Sequence, residues 1–348
     1  MRHLTWLSFA AALFTGLAAF TGGAAAQSAS IAAKKPLFAG ACVHCPWGEV
    51  AEIMREAMKP AGYDVQICYN CNRVDSPLFV SQARVAPPIG EHERELGVTT
   101  RPEGKMDFGA TDALRLKWAY EGLYDYKTHG PQKNLRLIAK IEDPYFLIVA
   151  VKKESGITDL KDIIAKKMKV RVVSEGMAIT KPIMDYYGLS KEALEAQGGS
   201  TGFSMARPKP DFDVLITFLG TLSNNPESSI WYEATQKHDL HFLELPADLR
   251  AQMAKEFGLE PVEIPYGYMK GVDRRIPALG YSGQLVIARD DTPDSFAYDA
   301  AKALDERRDL LKWRLRPFSY DTRTVWKNYE MPLHPGAERY YREVGYMK

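Results

Sequence analysis

Two pairs of cysteines, Cys42/Cys45 and Cys68/Cys71, lie near the start of the chain with 22 residues between them, and their spacing admits three chemistries. Two CxxC pairs at this distance suit a four-thiolate zinc site, although Pro46 and Asn72 follow the second cysteines where glycine knuckles are usual. Cys42-Val-His-Cys45, after an apolar run and before an amphipathic one, has the placement of a redox dithiol. The same placement suits disulfides. Neighbouring parallel strands run about 4.8 Å apart, and a disulfide needs Cα atoms about 4.4 to 6.8 Å apart, so a link between two strand-end loops is feasible. Four cysteines allow three full pairings, among which spacing does not choose.

The other candidates stand where short apolar runs end. Ligands of open α/β sheets bind beyond the carboxyl ends of the strands. There the sequence offers His44 and Trp47, then Asn70, Asn72 and Arg73, then Thr111 and Asp112. Further along come Ser174, Met177 and Thr180, then Gly220 and Thr221. Arg73 is the charge best suited to a carboxylate, because a guanidinium makes two parallel hydrogen bonds to it; pairing with Asp75 is the competing reading. Trp47 serves equally for stacking or core packing, and Asp112 equally well as an N-cap. His238 and His241 read as a solvated turn, and the common phosphate-loop, nucleophile-elbow and HExxH motifs are absent. The expectation is therefore a binding protein and not an enzyme, with no metal or cofactor.

These residues need a scaffold of alternating strands and helices. Pro36–Cys42 reads as a strand and Trp47–Ala61 as a helix with Val50, Ile53, Met54 and Ala57 on one face. Tyr63–Tyr69 completes a parallel βαβ unit. The stretch from Val85 to Lys105, rich in Pro, Gly and charge, reads as a long flap. Strands follow at Met106–Ala110, Leu135–Lys140, Tyr145–Val151, Lys169–Val173, Val214–Leu219 and Leu285–Ala288. Helices are expected over Asp112–Gly122, Asp159–Lys167, Thr180–Tyr187, Ala247–Phe257, Ser295–Trp313 and Ala337–Val344. Alternation of this kind predicts an α/β fold of open, mostly parallel sheets flanked by helices. Two series are visible, giving one lobe from residues 34–150 completed by 285–348 and a second from 151–284, with a ligand cleft between them.

The first 26 residues have the pattern of a cleavable secretory signal peptide: Arg2, an apolar run from Leu4 to Phe20, and Ala24-Ala25-Ala26. Export to the periplasm follows, where disulfides are permitted. Removing those residues takes one arginine and no acid, so the mature chain has a formal net charge of 0. That balance offers no basic stripe for nucleic acid, and a monomer is expected.

At several places the sequence resembles the TAXI-type solute receptors of TRAP transporters. The resemblance runs from about Phe38 to Gly345. It rests on Lys105-Met-Asp-Phe-Gly-Ala-Thr-Asp112, Ala119-Tyr-Glu-Gly122, Gly156-Ile-Thr-Asp-Leu-Lys161 and Ile264-Pro-Tyr-Gly-Tyr268, and most of all on His334-Pro-Gly-Ala-Glu-Arg-Tyr-Tyr-Arg-Glu-Val-Gly345. It implies a two-lobed periplasmic binding-protein fold of type II-like form, an organic anion such as glutamate or 2-oxoglutarate as ligand, and transport subunits in the membrane as partners. The cysteine-bearing stretches Cys42–Trp47 and Cys68–Arg73 depart from the Gly- and Ser-rich loops usual there, and the flap is longer.

Overall fold

A computed structural model describes residues 28–40, 43, 46–71, 75–175, 178–204, 210–220, 230–314 and 319–348. The strands are β1 (Leu37–Ala39), β2 (Gln66–Ile67), β3 (Phe108–Asp112), β4 (Leu135–Lys152), β5 (Arg171–Ser174), β6 (Ser200–Phe203), β7 (Val214–Gly220), β8 (Leu240–Leu243), β9 (Glu260–Ile264) and β10 (Ile276–Arg289). Their order is β2-β1-β3-β10-β4-β7-β5-β6, with β8 added to β4 and β9 to β10. Two parallel series are present, β2-β1-β3 and β6-β5-β7. The long strands β4 and β10 run antiparallel to each other and to the strands they join.

These two strands tie the series together. β10 pairs with β3 through Gln284–Ala288 and with β9 through Ile276–Gly280, on the same edge. β4 pairs with β7 through Tyr145–Val151. Its earlier residues donate hydrogen bonds to the C-terminal segment instead: Leu137 N to Pro332 O at 3.0 Å and Lys140 N to Val325 O at 2.7 Å. The C-terminal segment thus packs on the β2-β1-β3 side of the sheet, the first half, and the β6-β5-β7 series on the other side, the second half, comes from residues after β4.

Hydrophobic periodicity explains the layers. In the helix Pro46–Met58, Val50, Ala51, Ile53, Met54, Ala57 and Met58 are all buried. That face packs with Phe38, Phe108 and the helices Asp294–Glu306 and Pro335–Glu343 into one core. Trp231, Phe242, Ile148 and Leu215 form a second core in the other half. On the opposite face one continuous core runs from Leu37 and Trp118 through Tyr145 and Tyr281 to Ile163 and Leu194.

Several boundaries differ from the sequence expectation. Leu135–Lys140 and Tyr145–Val151 belong to one strand, because Pro144 lies opposite Ser282, where the partner strand slips register. Gly283, at φ +127°, supplies that irregularity. β10 begins nine residues earlier than expected, and a Cβ at Gly280 would lie 2.2 Å from the Tyr145 carbonyl oxygen, so only glycine lets the joining strands approach. The expected helix Ser295–Trp313 breaks at Arg307 into Asp294–Glu306 and Asp309–Arg314. The flap carries a short helix, Glu91–Glu95, and is closed at its base by a Val85–Lys105 bridge. Helix Lys191–Ala196, capped by Ser190, was not anticipated. Among the described residues no helix is long and apolar enough to cross a membrane. The expected signal peptide lies outside the described residues.

Candidate functional site

The carboxyl ends of β3, β5 and β7 meet beside the joining strands, and polar side chains are buried there. Asp112 ends β3 and caps the helix Ala113–Glu121, accepting the Arg115 N–H at 2.9 Å. Its second carboxylate oxygen receives the Arg115 guanidinium. Side-chain exposures of 0% for Asp112 and 1% for Arg115 place this pair in the interior. Burial pulls against the arginine's charge, but Asp112, Tyr281, Glu175 and Tyr126 outweigh it and hold the guanidinium protonated above its ordinary value.

The joining strands contribute an aromatic pair and a polar ladder. Tyr145 and Tyr281 stack with centroids 4.9 Å apart, and Phe218 of β7 lies 5.3 Å from Tyr281. Gln284 Nε2 donates to Asp143 Oδ2 at 3.0 Å and to the Tyr145 hydroxyl at 2.5 Å. Beside them Glu142 accepts hydroxyls from Ser282 (2.6 Å) and Thr324 (2.5 Å). Burial raises the Glu142 pKa, but these hydroxyls and Lys140 together carry it below the ordinary value. From the second half, Glu175 follows β5 and accepts the hydroxyl of Thr217 in β7. Glu175 is one of the charges felt by Arg115, so groups from both halves share one electrostatic centre.

Of the residues singled out from sequence, Thr111 and Asp112 lie in this centre's first half, both fully buried. Ser174 ends β5, Gly220 ends β7, and Thr180, buried, precedes the helix Lys181–Tyr186. Trp47 is buried in the core around the helix Pro46–Met58. Asn70 donates to the carbonyls of Pro87 (3.3 Å) and Pro88 (2.8 Å), tying its loop to the flap. His44, Asn72, Arg73, Met177, Thr221, Cys42 and Cys45 lie outside the described residues.

Cys68 and Cys71 are joined by a disulfide with Cα atoms 5.4 Å apart. The sequence left the pairing open and an inter-loop link feasible; this bond instead joins the two cysteines of a single loop. The chain turns after β2, with Cys71 N donating to Cys68 O at 3.4 Å, and so brings its own pair within bonding range. Sulphurs held in a disulfide are not thiolate ligands, which counts against the four-thiolate zinc site. Among the described residues no cluster of three His, Cys, Asp or Glu side chains is arranged to hold a metal.

Sequence reasoning missed Arg115, Glu175, Thr217 and Gln284. The strand-end rule names a loop but not which side chain turns inward. One signal was present for Arg115: an arginine three residues after a cap aspartate, set among Ala113, Leu114 and Leu116. Two cavities of about 820 and 790 Å³ lie elsewhere, at the outer edge of the first half. The larger sits between the helix Pro46–Met58, β2 and the flap, near Glu52, Arg55 and Arg101. Those charged groups are at least partly open to water, so the buried centre between the halves is the stronger candidate.

Residues 98–345 match the model of the NMT1-like family, and the chain belongs to that family. Solved structures also resemble it at low identity. A TctC solute-binding protein from Polaromonas is 12% identical, with 90% of this chain and 98% of that chain covered and a TM-score of 0.38. A protein described as a periplasmic transporter is 12% identical, covering 89% and 92%, with a TM-score of 0.42. The glycine betaine/L-proline-binding protein of an ABC transporter from Borrelia burgdorferi is 10% identical, covering 81% and 97%, with a TM-score of 0.38.

Proposed function

We propose that this protein is an extracytoplasmic solute receptor that captures a small organic anion, a carboxylate, between two lobes. The lobes are residues 34–150 with 285–348 and residues 151–284. The observation that carries this reading is the buried centre, where Asp112 and Arg115 from one half and Glu175 and Thr217 from the other converge beside β4 and β10. A cleft built from two parallel series and bridged by a pair of strands suits hinged closure over a ligand, which changes the surface offered to a partner without breaking a bond. The TAXI-like segments support membrane subunits of a TRAP transporter as that partner, with the receptor monomeric and exported by its leader. The two rivals, a periplasmic thiol–disulfide enzyme and a metal-binding receptor, both draw on the CxxC pairs, and the Cys68–Cys71 disulfide favours neither.

Arg73 is the proposed anchor for the solute carboxylate, supported by its place beside Asn70 and Asn72 after β2. The test is calorimetric titration of wild type, Arg73→Ala and Arg73→Lys with the acid that native mass spectrometry finds on the purified protein. Loss of a charge-assisted bond worth about 1.5–3 kcal/mol weakens affinity roughly tenfold to hundredfold in Arg73→Ala. Lysine restores only part, because the two-pronged geometry is lost. Equal affinity in all three removes Arg73 from the site, and a retained ligand with no acidic group overturns the anion reading.

A further inference from the structure

The two halves bring different chemistry to their common centre. Asp112 and Arg115 form a self-compensated pair on the first half. Glu175 on the second is 8% exposed and accepts the Thr217 hydroxyl, while no Lys or Arg among the described residues comes within ion-pair distance of it. A carboxylate has about four acceptor positions, and one withdrawn this far from water is unfavourable unless donors surround it.

Gln284 shows the same shortage at the joining strand. It is fully buried, and its amide nitrogen faces Asp143 and Tyr145. A carboxylate takes a donor and not an acceptor, so this contact fixes which end of the amide is nitrogen. Among the described residues the carbonyl oxygen, Oε1, then has no hydrogen-bond donor. The register of β10 on β3 sets Gln284 directly opposite Asp112, and Gln284 bonds the hydroxyl of Tyr145, which lies opposite Gly220 on β7, the strand whose Thr217 holds Glu175. Among the described residues Gln284 Oε1 thus has no donor, and Glu175 has only the Thr217 hydroxyl.

We infer that Glu175, oriented by Thr217, and Gln284 Oε1 form a subsite that accepts hydrogen bonds from the solute, so the solute is an acid bearing an amino or hydroxy substituent. The inference rests on the receptor reading above. An amino or hydroxy group supplies N–H or O–H protons to both oxygens. A 2-oxo or unsubstituted acid supplies none, leaving Gln284 Oε1 unpaired and Glu175 with Thr217 alone. Because Glu175 follows β5 and Gln284 lies on a joining strand, a donor that satisfies both favours the closed arrangement, coupling discrimination to closure.

Two measurements test this. Native mass spectrometry of gently purified protein identifies the retained solute, with an amino or hydroxy acid expected. A retained acid with no such donor overturns the subsite and leaves the receptor reading standing, whereas a retained solute with no acid group overturns both. Calorimetry on protein stripped of solute then uses matched acids: propionate, pyruvate, L-lactate and L-alanine; glutarate, 2-oxoglutarate, 2-hydroxyglutarate and L-glutamate. Within the set that binds, the amino or hydroxy member should bind at least about tenfold tighter than the oxo and unsubstituted members. Uniform affinity within the set sinks the subsite, and failure of every acid to bind sinks the receptor reading and the subsite with it. Glu175→Gln, checked for folding by thermal melting, identifies the donor. It keeps an acceptor for Thr217 but removes the charge, so an ammonium-bearing acid loses at least about tenfold and a hydroxy acid much less. Unchanged affinity for every acid overturns the inference.

Discussion

Among the described residues two cations, Arg115 and Lys152, are withdrawn from water, and their partners differ. Arg115 and its partner Asp112 are both sealed in the centre between the halves. Lys152, at the end of β4, has a side chain only 6% exposed, but the carboxylates around it, Asp211 at 2.7 Å and Glu154 at 3.8 Å, are 74% and 72% exposed. Its ammonium nitrogen lies over the Phe212 ring, 5.4 Å from the centroid, and reaches outward to partners that remain hydrated. Coulomb attraction is divided by the local dielectric, so the same pairing of charges has different consequences at the two places. In the centre each partner is indispensable to the other; at the rim water can replace either carboxylate.

The largest effect expected from this contrast is at Asp112. Asp112→Asn keeps a capping oxygen for the helix Ala113–Glu121 but leaves the guanidinium uncompensated, and removing one member of a buried pair costs about 3–5 kcal/mol. Urea unfolding should show that loss, with part of it recovered when Arg115→Met removes the stranded charge. A cost for Asp112→Asn below about 1 kcal/mol breaks the comparison, because it means water reaches Arg115.

His334 sharpens it. This imidazole is fully buried, donates from Nε2 to Thr292 O at 2.9 Å and accepts the Gly336 N–H at Nδ1, so it is neutral and caps the last helix. Burial lowers its pKa below the ordinary 6.5, with Asp294 pulling weakly the other way. A depressed folded pKa means that this contribution is complete above pH 6.5. It is lost as pH falls from there through the folded value. The wild-type melting temperature should therefore drop more between pH 7.5 and 5 than that of His334→Asn, whose cap does not titrate. At neutral pH His334→Ala should cost about 1 kcal/mol as a lost cap. Equal pH slopes would mean that protonation at this position is tolerated in the fold.

The smallest effect belongs to the rim. Asp211→Ala should cost about 0.2–1 kcal/mol, and the cost should shrink further in high salt. The Lys152 hydrogen bond holds the Asp211 pKa below its ordinary 3.8, so its contribution is present above that value and fades only as pH falls below it. A salt-insensitive loss as large as that of Asp112→Asn would show that exposure of a partner does not weaken a pair here.

The same physics explains which parts of the fold were legible. Helix Ala247–Phe257 and strand Val214–Gly220 follow from apolar spacing and length alone. The joining strands do not, because their polar residues find partners far along the chain. Gln284 bonds Asp143 across 141 positions, and Glu142 is held by Ser282 and Thr324 across 140 and 182. Within a short window Glu142-Asp143-Pro144 reads as a strand breaker, and the opposing bulge that accommodates it lies more than a hundred residues away. The candidate site shows the same division. Asp112 was found because a cap after a strand is a local pattern, whereas Glu175 becomes distinctive only once Thr217 is beside it.

The central position of β10 also sets an order of assembly. β1, β2 and the helix Pro46–Met58 are made early, yet β3 gains its second neighbour only when β10 appears. The early helix is then covered by Asp294–Glu306, with Tyr63 reaching Asp299 at 3.0 Å across 236 positions. Tyr341 closes the structure by donating to the Ile138 carbonyl at 3.0 Å across 203 positions. Contacts this distant in sequence form slowly, because a long loop must close before they contribute. A nascent chain synthesised as far as β9 therefore lacks the strand and helices that cover its first core, which stays open until nearly the last residue has been made.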